Sequence, residues 1–279
     1  MKTLEQLVAQ TTSLVSLPEI YWEIRRMMED PDASLADFVG LIRLDPGLSA
    51  KLLQISNSAF YGLSRQVETI SYAVNVLGIS LIHDLVLATA VTRSFSGIAS
   101  EVENLGKFWR RSAYCGLAAR ALAERLMVLD SERVFTAGLL HDLGHLALCL
   151  IAPEEVRQTL AQSATELRPL DEVQRDRWGF DGCSVGHKLM EAWRLPVSLQ
   201  EAAGYHRRPA LAKDFPAEIA VVHLAWRLAM QMDKGDVFEA LAPLDPAASA
   251  VVVCSEQDLQ VAREIAGELV LHTLALLAH

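Results

Sequence analysis

The chain has 279 residues, with 35 acidic against 25 basic side chains, a formal charge of −10, and a composition just over half hydrophobic but poor in aromatics. The acidity argues against a general grip on nucleic-acid backbones, which needs clustered Lys and Arg, and is read as a solubility feature. Leu and Ala dominate while Gly and Pro are sparse, which favours helices over strands.

Cys115, Cys149, Cys183 and Cys254 are dispersed with no C-x-x-C pair, so neither a disulfide framework nor a zinc knuckle is expected. The N-terminal MKTLEQLVAQ does not read as a secretory signal. The longest uncharged apolar run, residues 143–152, falls short of a membrane span. The expected setting is a reducing cytoplasm, without membrane insertion.

In chain order, Ser34 with Asp37 reads as a capping pair ahead of Phe38, Leu41 and Ile42. Asp45-Pro46 supplies a cap and a first-turn proline for a helix through Leu48, Leu52, Leu53 and Ile55. Asn57 and Ser58 can satisfy backbone groups at its end, and Gly62 permits a turn with positive φ. Thr69 starts a helix that carries Val74 and Leu77 and stops at Gly78. Residues 80–95 are apolar on most faces and should be buried. The pattern then lapses near residues 98–106 into a polar connector, GIASEVENLG, where the domain boundary is expected. Phe108 to Met127 has a helical period, Asp130 caps a helix through Leu150, and Pro153, Pro169, Pro196, Pro209 and Pro216 divide the rest. No stretch alternates as a strand would. The expectation is an all-α fold in two packed helical parts: an N-terminal bundle over 1–103 and a second helical domain over 104–279.

Two motifs carry a resemblance. DPGLSAKLLQISNSAFYG (45–62), followed by ISYAVNVLG (70–78) and preceded by Leu17-Pro18, and FTAGLLHDLGHLAL (135–148) with its His141-Asp142 pair, together resemble the HDOD family over roughly residues 12–275. That family is a degenerate relative of HD and HD-GYP phosphohydrolases. The hallmark positions here are Asp45, Pro46, Asn57, Ser58, Tyr61, Gly62 and Gly78. Their residue types read as helix caps and turns; the alternative is that Asn57, Ser58 and Tyr61 form a recognition surface.

In an active HD domain, imidazoles and carboxylates hold a divalent metal that activates water and clamps phosphate. The resemblance places the first of these histidines at Arg111. A second lies at Gly182, after Asp181; a His-His pair falls on Tyr205-His206; and the final aspartate falls on Trp226. Only His141, Asp142 and His206 survive. A guanidinium repels a cation and an indole cannot ligate one, so no metal, no cofactor and no HD-type catalysis are expected. Arg111 shares a helical face with Cys115, Ala118 and Leu122, so its head either points inward and pairs with Asp142 in place of the metal, or snorkels outward.

His145 lies one turn beyond His141 and reads as a hydrogen-bonded or surface histidine, and RRPALAKD (207–214) reads as a solvated basic loop. No nucleophile elbow, phosphate-cradling loop or H-E-x-x-H occurs. The leading expectation is a non-catalytic regulatory or scaffold module of bacterial signal transduction that works through protein partners. The alternatives are a divergent phosphohydrolase or phosphodiesterase keeping one metal on His141, Asp142 and His206, and a nucleotide or anion sensor using Arg111, His141 and His206 as a pocket.

Overall fold

The computed structural model describes residues 2–58, 65–95, 97–100, 102–127, 130–232 and 245–277, and among these there is no strand. The hallmark positions Tyr61 and Gly62 lie outside the described residues.

The first helix, α1 (Leu4–Leu14), starts at a capping box in which Thr3 and Gln6 exchange side-chain and backbone hydrogen bonds. Then come α2 (Glu19–Glu29), α3 (Leu35–Arg43), α4 (Pro46–Ser56), α5 (Ile70–Leu77) and α6 (Ile79–Ser94). Ser34 and Asp37 form a second capping box at α3, and the Asp45 carboxylate accepts from the Leu48 N–H at α4. Asn57 closes α4: its amide donates to the carbonyls of Leu53 and Val67, and its oxygen accepts from the Val67 N–H at 2.7 Å. Gly78, at φ +78°, turns the chain between α5 and α6, which are bent by 104°. α6 is buried on nearly every face, with Leu81, Ile82, Val86, Leu87 and Val91 in the core.

The second half contains α7 (Leu105–Leu126), α8 (Ser131–Leu140), α9 (Leu143–Ile151), α10 (Pro153–Glu166), α11 (Leu170–Trp178), α12 (Gly182–Ala192) and α13 (Val197–Tyr205). After a 3-10 turn at Pro209–Leu211 it continues with α14 (Pro216–Met230), α15 (Pro246–Val251) and α16 (Glu256–Leu277). α7, α8 and α14 pack together, and Leu117, Leu122, Leu139 and Val222 on these helices are almost wholly buried. The stretch 131–151 has the length and apolarity of a membrane span, but 83% of that window is buried inside the fold, as in a core helix pair.

The chain forms two compact units, one of residues 1–15 with 95–268, the other of 16–94 with 269–279. This differs from the division at 103/104 expected from the polar connector. α1 buries Leu7, Val8 and Thr11 and packs on α9 and α12, so it belongs with the larger unit. Phe95 and Ile98 are also buried and group with it, despite the polar sequence that follows.

Helices α9 and α12 touch backbone to backbone. A Cβ added at Gly144 would lie 1.9 Å from the Gly182 carbonyl oxygen and 2.4 Å from the Gly186 nitrogen, so no side chain fits. Gly144→Ala should therefore cost about 3 kcal/mol or more, or prevent folding. Gly40→Ala, at an exposed position of α3 where nothing lies within 4 Å, should stabilise by about 0.5–1 kcal/mol. Urea denaturation midpoints check both; a tolerated Gly144→Ala would contradict the helix contact.

Candidate functional site

The His141-Asp142 pair sits at a break in the helix rather than within one. α8 ends at Leu140, Asp142 takes φ −109° and ψ 23°, and α9 begins at Leu143. The single helix expected from Asp130 to Leu150 is therefore two. The kink leaves the half-buried Asp142 carboxylate on the wall of a small cavity, with Glu103, Arg111, His145 and Arg207.

The His141 Nδ1 hydrogen donates to the Gly138 carbonyl at 2.6 Å, and its ring meets that of His206 edge-on, 4.7 Å between centroids. His206 in turn donates from Nδ1 to the Ala202 carbonyl, while His223 donates to the His206 carbonyl at 2.7 Å. Burial lowers the pKa of all three below the ordinary 6.5; for His206, the neighbouring His141 and Arg207 push it further. These are neutral imidazoles at neutral pH.

The four positions where the resemblance places missing ligands are filled as follows. Gly182 is the first residue of α12 and offers only its N–H, which donates to the Gln174 side chain at 2.9 Å. The Tyr205 ring lies against His187. Trp226 is 3% exposed, packed beside His206 and His223. Arg111 points inward, its side chain only 14% exposed, and forms an ion pair with Glu103 at 3.6 Å. Asp142, the partner expected from sequence, lines the same cavity.

Three residues of this site were not expected to belong to it. The Glu103 carboxylate, 2% exposed, accepts from His145 Nε2 at 2.8 Å as well as pairing with Arg111. His145 is thus a buried charge partner, with Cys149 Sγ 3.5 Å away. Burial alone would depress its pKa, but Cys149, Glu103 and Asp142 together hold the imidazolium well above 6.5. Arg207 is the third. Its guanidinium lies 4.9 Å above the Trp226 ring and 3.5 Å from Asp171, rather than in a solvated loop. Arg175 joins Asp171 to the fully buried Asp181, which Arg208 also reaches at 3.1 Å. Glu201 fixes the end of the same segment by accepting from the backbone N–H groups of Lys213, Asp214 and Phe215.

Within this geometry the metal positions of the HD pattern do not fit a metal. The donors of His141, Asp142 and His206 do not converge, and two guanidiniums line the cavity beside them. Among the described residues, the carboxylate, imidazole and thiol atoms that do converge, within 4.8 Å of one another, belong to Glu103, His145 and Cys149. There Arg111 and a proton on His145 already supply the positive charge that a cation would bring. The cavity, about 30 Å³, holds roughly two water-sized bodies.

Residues 14–209 match the HDOD domain family. The chain belongs to the HDOD domain family. It is 28% identical over 214 residues to an uncharacterized protein of Treponema pallidum (strain Nichols); that match takes in 75% of this chain but only 40% of the relative. Two solved structures share the HDOD fold at low identity. One, from Shewanella amazonensis SB2B, carries the provisional name of phosphohydrolase: TM-score 0.75, 24% identity, 98% of each chain covered. The other, provisionally a signal transduction protein of Marinobacter aquaeolei VT8, has TM-score 0.77 and 20% identity, with 100% of this chain and 62% of that one covered.

Removing one member of a buried ion cluster leaves the others uncompensated, so Glu103→Gln should cost about 3 kcal/mol in chemical denaturation. It should also bring the His145 titration, followed by NMR, down toward 6.5. The sign follows from linkage: a raised His145 pKa stabilises the fold fully below 6.5, and that contribution fades as pH climbs through the folded value. An unmoved His145 titration would show that Glu103 is not its counter-charge.

Proposed function

We propose that this HDOD protein is a non-catalytic regulatory or scaffold module of signal transduction that acts by binding protein partners. The observation that carries the reading is what stands at the HD metal positions: the Arg111 guanidinium on the cavity wall, with Arg207 beside it, and the Trp226 indole packed against His206. A metal hydrolase needs an open coordination position and room for a phosphate. Here Asp142 lines a cavity shared with two guanidiniums, and its remaining space suits water rather than a phosphate. The provisional name of the Marinobacter relative points the same way.

The phosphohydrolase alternative draws on the Shewanella relative's provisional name. It would need a metal held by His141, Asp142 and His206, against the field of two nearby arginines. A nucleotide sensor built on Arg111, His141 and His206 would need all three on one pocket, whereas, among the described residues, the lining of the small cavity at Arg111 includes neither His141 nor His206.

Purified protein should carry far less than one Fe, Mn or Zn per chain and should not hydrolyse bis(p-nitrophenyl) phosphate above the buffer rate. Elemental analysis and a chromogenic assay measure both. Stoichiometric metal together with turnover that Asp142→Ala abolishes would overturn the reading in favour of an enzyme.

A further inference from the structure

The smaller unit contains a cavity of about 180 Å³, six times the volume of the one beside His141-Asp142. Its wall is built partly from the DPGLSAK stretch, through Asp45, Leu48 and Lys51, and partly from the last turns of α6, through Val86, Ala90 and Arg93. Pro18 and Ile20 add apolar surface. None of these residues belongs to the site described above.

The lining has a definite chemical character. Lys51 is 6% exposed, and the solvent-exposed Arg93 adds a second cation against the single carboxylate of Asp45. That carboxylate is committed, since one oxygen caps α4 by accepting from the Leu48 N–H at 2.9 Å. Burial first, and then repulsion from Arg93, lower the Lys51 pKa below 10.5. Lys51 and Arg93 thus place two positive charges on one cavity wall, close enough to repel each other. The rest of the wall sets the aliphatic side chains of Pro18, Ile20, Leu48, Val86 and Ala90 beside the hydroxyls of Ser16, Thr89 and Ser94, an apolar seat edged with hydrogen-bonding groups.

Size narrows the choice. An apolar cavity of about 150 Å³ admits a benzene ring, whereas nucleotide-sized ligands occupy pockets of roughly 300 Å³ and more. We infer that this cavity binds a small organic oxyanion, a carboxylate or phosphate group on an apolar body of about ring size, with Lys51 and Arg93 holding the anionic group. This site is independent of whether the metal positions of the larger unit support catalysis.

The test is calorimetric titration of the full chain with benzoate and with phenyl phosphate, beside the neutral analogue benzamide. At least one anion should bind, weaken as salt rises, and exceed benzamide by roughly tenfold or more, the value of one charge-assisted hydrogen bond. Lys51→Met and Arg93→Gln should each weaken the anion by a similar factor; Arg93 is exposed, so that variant tests the site even if the other fails to fold. Asp142→Ala should leave binding unchanged. No binding of either anion, equal binding of benzamide, or anion binding that Asp142→Ala removes while Arg93→Gln spares would overturn the assignment.

Discussion

Glu103 buries a carboxylate between the guanidinium of Arg111 and the imidazole of His145, and the character of the site follows from that placement. An inward arginine beside a kinked His-Asp pair would be costly alone, because a desolvated charge must be matched. Glu103 matches it and at the same time accepts the hydrogen bond of His145, whose pKa Cys149, Glu103 and Asp142 together raise. The cluster thus supplies from side chains the positive charge that HD enzymes draw from a metal. Arg207, stacked on Trp226 and close to Asp171, adds a second fixed cation on the cavity wall. His141 and His206, both neutral, donate Nδ1–H to carbonyls and meet edge-on.

The fold serves this arrangement by rigidity. The backbone contact of α9 with α12 at Gly144 fixes the helix that carries His145 and Cys149. The break between α8 and α9 turns Asp142 toward the cavity instead of along a helix face. The carboxylates of Asp171, Asp181 and Glu201 tie the segment 207–215 to its surroundings, so Arg207 is held rather than free to swing into solvent. Each of these contacts spends a polar group that a catalytic centre would need to keep available.

Much of this was legible in the sequence because its signals are local. Ser34, Asp45, Thr69 and Asp130 each cap the helix their spacing announces, and Gly78 takes the positive φ its position after Leu77 demands. Helical phase with Cys115, Ala118 and Leu122 left Arg111 pointing inward or snorkelling outward, and the fold settles it inward. What escaped depends on contacts distant along the chain. Glu103 lies in a stretch without periodicity, so nothing local marks it as the partner of residues 111 and 145. Arg207 belongs to a run whose composition suggests a solvated loop, and only the fold brings Asp171 and Trp226 against it. The affiliation of α1 with the larger unit is likewise set by packing on α9 and α12, beyond what an amphipathic pattern alone specifies.

If side-chain cations occupy the space of the HD metal, anomalous diffraction from crystals soaked in Mn²⁺ should show no peak within coordinating distance of His141, Asp142 or His206, with Arg111 seated on Glu103. A manganese ion bound to that trio, or to Glu103, His145 and Cys149 with Arg111 swung away, would contradict it.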